Sequence, residues 1–332
     1  MAMEAALGYV AQHCRDEGIS FEVGLDPNGT CVVGPEHTEL FTSLGQLEAK
    51  RTTTTPDMAG LLAHLLSEAG VEEGNYVAIG ASGSFPALLV ATLTAVEALG
   101  AEPVTILSLG ASSFGATRPA FHLLDLYGLL EARGFVSAPP SAVSLGGSGD
   151  VGAEFDPTFR EGLLRGLLES DVPVLQNPDL RANVVERLAI YGFGTTGREP
   201  VVFVNIGGAE VNLGISPRIL DVPAGLVGGP VAEESRASGE PVDLPPEHQR
   251  GVLFEMAFLG VPVIHLLHLR GLALRYGLPW DPLPLPEVGT TRLMDAQKGK
   301  DLGFWILTVG YLGAMALVAL FGREKRGQET VR

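Results

Sequence analysis

The feature that most restricts the fold of this chain is an alternation between residues 76 and 276: short, almost wholly apolar runs separated by helix-length segments. The runs are YVAIG (76–80), PVTILSL (103–109), SAVSL (141–145), VPVL (172–175), PVVFVNI (200–206) and VPVIHL (261–266). A strand that is apolar along its whole length is buried on both faces, and parallel strands joined by helical crossovers meet that condition. Helices are expected over 85–99, 119–133, 157–168, 178–191, 247–259 and 267–276. The pattern predicts an α/β fold of three layers, a mostly parallel sheet with flanking helices. Ahead of it, residues 4–17 read as a short amphipathic helix. Thr55-Pro56-Asp57 reads as an N-cap, a first-turn proline and an early acid, opening a helix that stops at Gly70.

The carboxy-terminal region obeys a different rule. LGFWILTVGYLGAMALVALF, residues 302–321, carries no charge, and as a helix it spans ~30 Å, the thickness of a bilayer's hydrocarbon core. Trp305 and Tyr311 are aromatic, and Arg323, Lys325 and Arg326 follow the exit. This predicts a transmembrane helix over 302–321. The expected organisation is an amino-terminal helix and turn-rich segment (1–46), an α/β domain (47–286), a linker (287–301), the span, and a basic tail (322–332). Within the domain, 223–246 reads as a long surface loop, and the proline-rich 278–288 as a stiff connector toward the membrane. Arg292, Lys298 and Lys300 before the span balance Arg323, Lys325, Arg326 and Arg332 after it, so charge does not set an orientation. MAMEAALGYVAQHCRDEG has neither a basic start nor a long apolar core, which a signal peptide needs. As written, the chain reads as anchored by a single carboxy-terminal span.

Net charge excludes one class of partner. At −17 the chain has nothing to neutralise phosphates along a nucleic acid. Cys14 and Cys31 allow at most one intrachain disulfide, and a bridge and two free thiols are equally open.

Candidate chemistry gathers at the strand ends. Gly80-Ala81-Ser82-Gly83-Ser84-Phe85 is echoed 30 residues later by Gly110-Ala111-Ser112-Ser113-Phe114, an interval of about one βαβ unit. Two further runs end alike, in LGGSGD (145–150) and NIGGAEVN (205–212). Loops at the carboxyl edge of a parallel sheet converge on one crevice. The free N–H groups of the helix start behind Ser82, Gly83 and Ser84 suit a carboxylate or phosphate, and Ser112, Ser113, Asn205, Gly207 and Gly208 are expected to join them. Ser84 as a helix cap is the plainer alternative.

LEAKRTTTTPD, 47–57, adds Lys50 and Arg51 beside four consecutive threonines, Thr53 among them, in a chain short of cations. An anion-gripping role is expected there, against a solvated loop in which Glu48 pairs with a base. Gly80-Ala81-Ser82-Gly83-Ser84 also approaches the G-x-S-x-G nucleophile elbow. An enzyme of that kind uses Ser82 as nucleophile and His265 as its base, His122 being a weaker candidate; Asp125, Asp150 and Glu210 are the nearby acids. His265 and His268 lack a third ligand pattern, so no metal is expected. No phosphate-binding or dinucleotide-binding glycine motif is present, so no cofactor is expected either.

Taken together, LEAKRTTT (47–54), GASGSFPAL (80–88), SLGAS (108–112), VNIGG (204–208), GVPVIHLL (260–267) and GLALRYGLP (271–279) resemble the poly-gamma-glutamate system protein family. The likeness runs from about Leu47 to Pro286, in the same order and with similar gaps. It implies a membrane-associated accessory protein of poly-γ-glutamate (capsule-like polymer) synthesis or export, partnered by the polymer or another carboxylate ligand, by other synthesis or export subunits, and by the membrane. It supplies no catalytic residues. Members of the family carry an amino-terminal hydrophobic anchor as well, from which this sequence departs; with such an anchor restored, the α/β domain is extracytoplasmic. The function expected is therefore polymer or subunit binding through an anion-accepting crevice. The alternative is a serine-dependent hydrolase or transferase acting on γ-glutamyl amide bonds.

Overall fold

The chain opens with α1 (Ala2–Asp16), whose buried Met3, Ala6, Leu7, Val10 and Cys14 recur at helical spacing. The structure, a computed structural model, describes residues 1–194, 197–228, 244–293 and 306–312. A short strand, β1 (Phe41–Ser43), and two helices, α2 (Leu47–Thr53) and α3 (Asp57–Glu68), lead into the sheet. There follow β2 (Tyr76–Ser82), α4 (Pro86–Ala98), β3 (Glu102–Ser108), β4 (Ala111–Ser112), α5 (Leu123–Ala132), β5 (Ala142–Ser144), α6 (Pro157–Leu168), β6 (Val174–Leu175) and α7 (Leu180–Ile190). The other half holds β7 (Val202–Ile206), α8 (Glu210–Leu213), β8 (Gly225–Val227), α9 (Val252–Phe258), β9 (Val263–Leu266) and α10 (Leu269–Tyr276).

Seven strands form one sheet in the order β6-β5-β3-β2-β7-β9-β8, parallel throughout except for β8 at one edge. The chain winds outward from β2 through β3, β5 and β6, then returns to the other side of β2 and continues through β7 and β9. Right-handed crossovers require helices on opposite faces for the two directions. The core divides accordingly. Val77, Ile79 and Ala81 of β2 pack with α1, α3, α4 and α5. Ala78 of the same strand packs with residues of α7, α8 and α9 on the other face. Winding reverses between β2 and β7.

Several local expectations differ in detail. Thr55 does not cap α3 with its side chain: its hydroxyl is buried with no hydrogen bond among the described residues, and its carbonyl accepts the Met58 N–H at 2.9 Å. Asp57 instead accepts the N–H groups of Gly289 at 2.8 Å and Thr291 at 3.3 Å. The proline-rich 278–288 is likewise docked, with Leu278 buried and Asp281 bound to Arg51. Of the expected loop 223–246, Gly225–Val227 is β8, and 229–243 lie outside the described residues. So does most of the expected span at 302–321; its described part, 306–312, is helical. Among the described residues no helix is long and apolar enough to cross a membrane.

Cys14 and Cys31 form a disulfide, settling the alternative left open by composition. It ties the end of α1 to the turn-rich segment across a separation of 17 residues. Closing a loop of that size in the unfolded chain is worth about 3 kcal/mol. Replacing both cysteines by serine is expected to lower unfolding free energy by that amount, measured by denaturant titration under non-reducing conditions.

Candidate functional site

The carboxyl ends of the six parallel strands β2, β3, β5, β6, β7 and β9 share one edge of the sheet, and the buried side chains on one face there are polar. In register across β2, β3 and β5 stand Ser82, Ser108 and Ser144. Two residues earlier, Gly80, Asn205 and His265 align across β2, β7 and β9. The row is closed from above by α7 and α8. Fully buried Arg187 of α7 donates to Asp150 Oδ2 at 2.6 Å and to Ser144 Oγ at 3.0 Å, and Asp150 Oδ1 accepts the Ser144 hydroxyl at 2.7 Å. Gly80 is required because Asn212 lies against it: a Cβ there would meet the Asn212 amide at 2.6 Å.

His265 belongs to this buried row. Its Nδ1 faces Asn205 Nδ2 at 3.1 Å, while its Nε2 has no partner among the described residues. Burial, with a smaller contribution from His268, pushes its imidazole down to about 4. The strands of Ser82 and His265 are separated by β7, about 10 Å from centre to centre, and no hydrogen bond joins the two side chains. Ser82 instead donates to the Ile206 carbonyl at 3.4 Å. His122 caps α5 by accepting the Asp125 N–H, and Glu210 accepts the Gly149 N–H at 3.0 Å.

On the opposite side of the same edge lies an open cleft of about 480 Å³, at the reversal between β2 and β7. Lys50, Ser84, Ser112 and Gly208 line it, four of the residues singled out in the sequence. The two echoed strand-end motifs meet here: Ser84 Oγ accepts the Ser112 N–H at 3.1 Å, and Gly83 donates to Ser108 and Gly110 carbonyls. Ser84 therefore does not cap α4. Gly83 is required, since a Cβ there would lie 2.5 Å from the Leu109 carbonyl. Gly83, Ser113 and Gly207 are buried and outside the lining, and Asn205 is buried in the row on the other face.

Lys50 is the central feature. It is 2% exposed, donates to the Ser84 carbonyl, lies 2.7 Å from Ser112 Oγ, and sits 3.7 Å from the centre of the Phe85 ring. Burial pushes its ammonium down to about 7. Its neighbours in the sequence are engaged elsewhere. Arg51 grips Asp281 in a two-pronged pair at 2.6 and 2.5 Å. Thr53 donates to the Lys50 carbonyl at 2.6 Å, and Thr52 and Thr54 likewise donate to carbonyls of their own helix. Thr52 and Thr53 thus belong to α2, and Thr54 caps its carboxyl end.

The sequence marks none of the other lining residues as an anion site. Ser43 arrives because β1 pairs in parallel with β4, aligning Ser43 with Ser112. His268 and Arg270 stand exposed at the mouth, and Trp280 comes from the docked proline-rich stretch. Among the described residues no group of three or more His, Cys, Asp or Glu is arranged to hold a metal. Comparison with protein-family models and with curated proteins gives no match for this chain.

The depressed His265 has a consequence for stability. Between its folded value of about 4 and the ordinary 6.5, the unfolded chain binds the extra proton, so this contribution is complete above about pH 6.5 and is lost as pH falls toward 4. A shift of this size corresponds to roughly 3 kcal/mol. Unfolding measured across that window is expected to be steeper in pH for the parent chain than for His265→Gln.

Proposed function

We propose that the chain is a membrane-associated accessory protein of poly-γ-glutamate synthesis or export, and that the cleft at the β2–β7 reversal receives the polymer's carboxylates. One observation carries the ligand class. In a chain of net charge −17, no carboxylate among the described residues lines this cleft, and the ionisable residues that do are Lys50, His268 and Arg270. The surrounding negative charge repels a polyanion elsewhere and leaves this opening as the favourable place to hold one. Arg270 is the strongest anion donor at the mouth, where its guanidinium meets solvent and offers paired N–H groups of carboxylate geometry.

Two further features support the cellular setting. The described helical piece 306–312 exposes Ile306, Leu307, Val309, Tyr311 and Leu312, as a segment placed in lipid would. The Cys14–Cys31 disulfide is of the kind that persists in oxidising compartments, in keeping with an extracytoplasmic α/β domain.

Titration of γ-glutamate oligomers, followed by the fluorescence of Trp280 in the cleft wall, tests the proposal. Saturable binding is expected, weakening with added salt. Arg270→Glu is expected to weaken it at least about tenfold, the loss of one charge-assisted hydrogen bond. Arg51→Ala, which frees only Asp281, is expected to change it by less than about twofold. Equal affinity in the Arg270→Glu variant removes the anion-accepting role.

A further inference from the structure

The hydroxyl of Ser112 and the amine of Lys50 meet at the floor of the cleft, 2.7 Å apart. We propose that they form a catalytic serine–lysine pair, with Ser112 Oγ as nucleophile and Lys50 Nζ as general base, acting on carboxamides by acyl transfer. As the ammonium, Nζ donates to the Ser84 carbonyl and to Ser112 Oγ and lies over the Phe85 ring. Once one proton is lost, the freed lone pair is within reach of the Ser112 hydroxyl, which can then donate to it. A lysine kept buried for structure alone is ordinarily matched by a carboxylate. Here the charged and titratable groups around it are Glu48 and Arg51 on its own helix, Arg51 being held by Asp281, with His268 and Arg270 at the cleft. None of the three acidic or basic groups on the α2 side contacts the amine. Burial sets its proton affinity near neutrality, where a base works best.

The surroundings fix both partners. Ser84 binds them together, its carbonyl holding Nζ and its hydroxyl holding the Ser112 N–H. Gly45 admits the pair at close range: a Cβ there would lie 3.1 Å from Ser112 Oγ and 3.2 Å from Lys50 Cε. Ser84 is thus a positioning residue, and Gly45 a steric one.

In the forward step, neutral Lys50 takes the Ser112 proton as Oγ bonds to the amide carbon. The C–N bond then breaks, and the Lys50 ammonium returns that proton to the departing amine, leaving an acyl ester on Ser112. Water, or an incoming amine, attacks the ester carbon with Lys50 again accepting the proton; the Oγ–C bond breaks and Lys50 passes that proton to Oγ, regenerating the Ser112 hydroxyl and the neutral amine. No oxidant or reductant is needed. Amides flanked by carboxylates, of the γ-glutamyl kind, are the substrate class; that choice rests on the proposed function, whereas the serine–lysine pair does not.

The test treats the full 332-residue chain with a fluorophosphonate, which forms a phosphonyl ester on a nucleophilic serine and releases fluoride. The peptide carrying Ser112 is expected to be labelled, at a rate that rises with pH and levels above about 7. Ser112→Ala is expected to abolish labelling. Lys50→Met is expected to slow it at least about a hundredfold, with the folded state checked by thermal unfolding; the pH profile of the parent chain asks the same question without a variant. Absence of label, label on Ser82 or Ser84 instead, or a flat pH profile overturns the pair. Turnover of a γ-glutamyl anilide in preference to an acetyl anilide, with KM raised by Arg270→Glu, is expected for the substrate class. Labelled Ser112 without that preference overturns the class alone, and labelled Ser112 without polymer binding overturns the binding role alone.

Discussion

Parallel pairing sends the ends of β2, β3, β5, β6, β7 and β9 to one edge, and that edge opens where the winding reverses between β2 and β7. Neighbouring connections depart to opposite faces at a reversal, so their loops diverge and leave a crevice that side chains alone do not close. The chemistry proposed for this chain follows from what fills it. Ser84 and Phe85 follow β2, Gly208 follows β7, and Ser112 ends β4, shortly after β3. Short glycine-rich turns let these backbones approach until the two loops hydrogen-bond to each other. Substituting Gly83 would push a side chain into the Leu109 carbonyl and force them apart.

Two buried cations flank this edge, and their surroundings assign them different lives. Arg187 meets Asp150 at 2.6 Å, with Ser144 and Asn183 occupying further hydrogen-bonding positions. Such a pair contributes more to fixing one arrangement of the sheet's polar face than to net stability, because desolvation offsets most of the attraction. Lys50 has a carbonyl, a hydroxyl and an aromatic face, and none of these repays the desolvation of a full charge as a carboxylate does. Proton loss near neutrality relieves that cost. The same burial that would make a poor structural ion makes a usable base.

Much of the fold was legible because buried strands leave an unmistakable imprint: YVAIG and PVVFVNI admit little besides a two-sided core position. The strand-end glycines and serines were legible for the same reason, since small residues after an apolar run mark close backbone approach. The pairing of Lys50 with Ser112 was not. They are 62 residues apart, and their meeting depends on β1, a three-residue strand whose FTS sequence has no periodic signal. The elbow pattern points to Ser82, whereas the side chain that reaches the cleft amine is Ser112 of the echoed motif. Alternation explains why: Ser82 is the last residue of β2 and points to the face of Ser108 and Ser144, away from the lysine. Trp280 and Asp281 were hidden in a proline-rich stretch that composition alone describes as a connector.

The two proposed roles of the cleft constrain each other through the charge on Lys50. A carboxylate bound directly against the amine would raise its proton affinity and remove its lone pair from service as a base. Under the proposed chemistry, the polymer's carboxylates therefore belong at the mouth, with exposed Arg270 and His268, and the amide carbonyl belongs at the floor beside Ser112. A γ-linked glutamate chain suits this division, since each backbone amide carries its nearest carboxylate as a branch and not in line. A ligand presenting a terminal carboxylate to the floor would instead be held by the charged lysine and left intact. One site thereby distinguishes bound chain from cleaved bond by depth, with the protonation of Lys50 reporting which of the two occupies it.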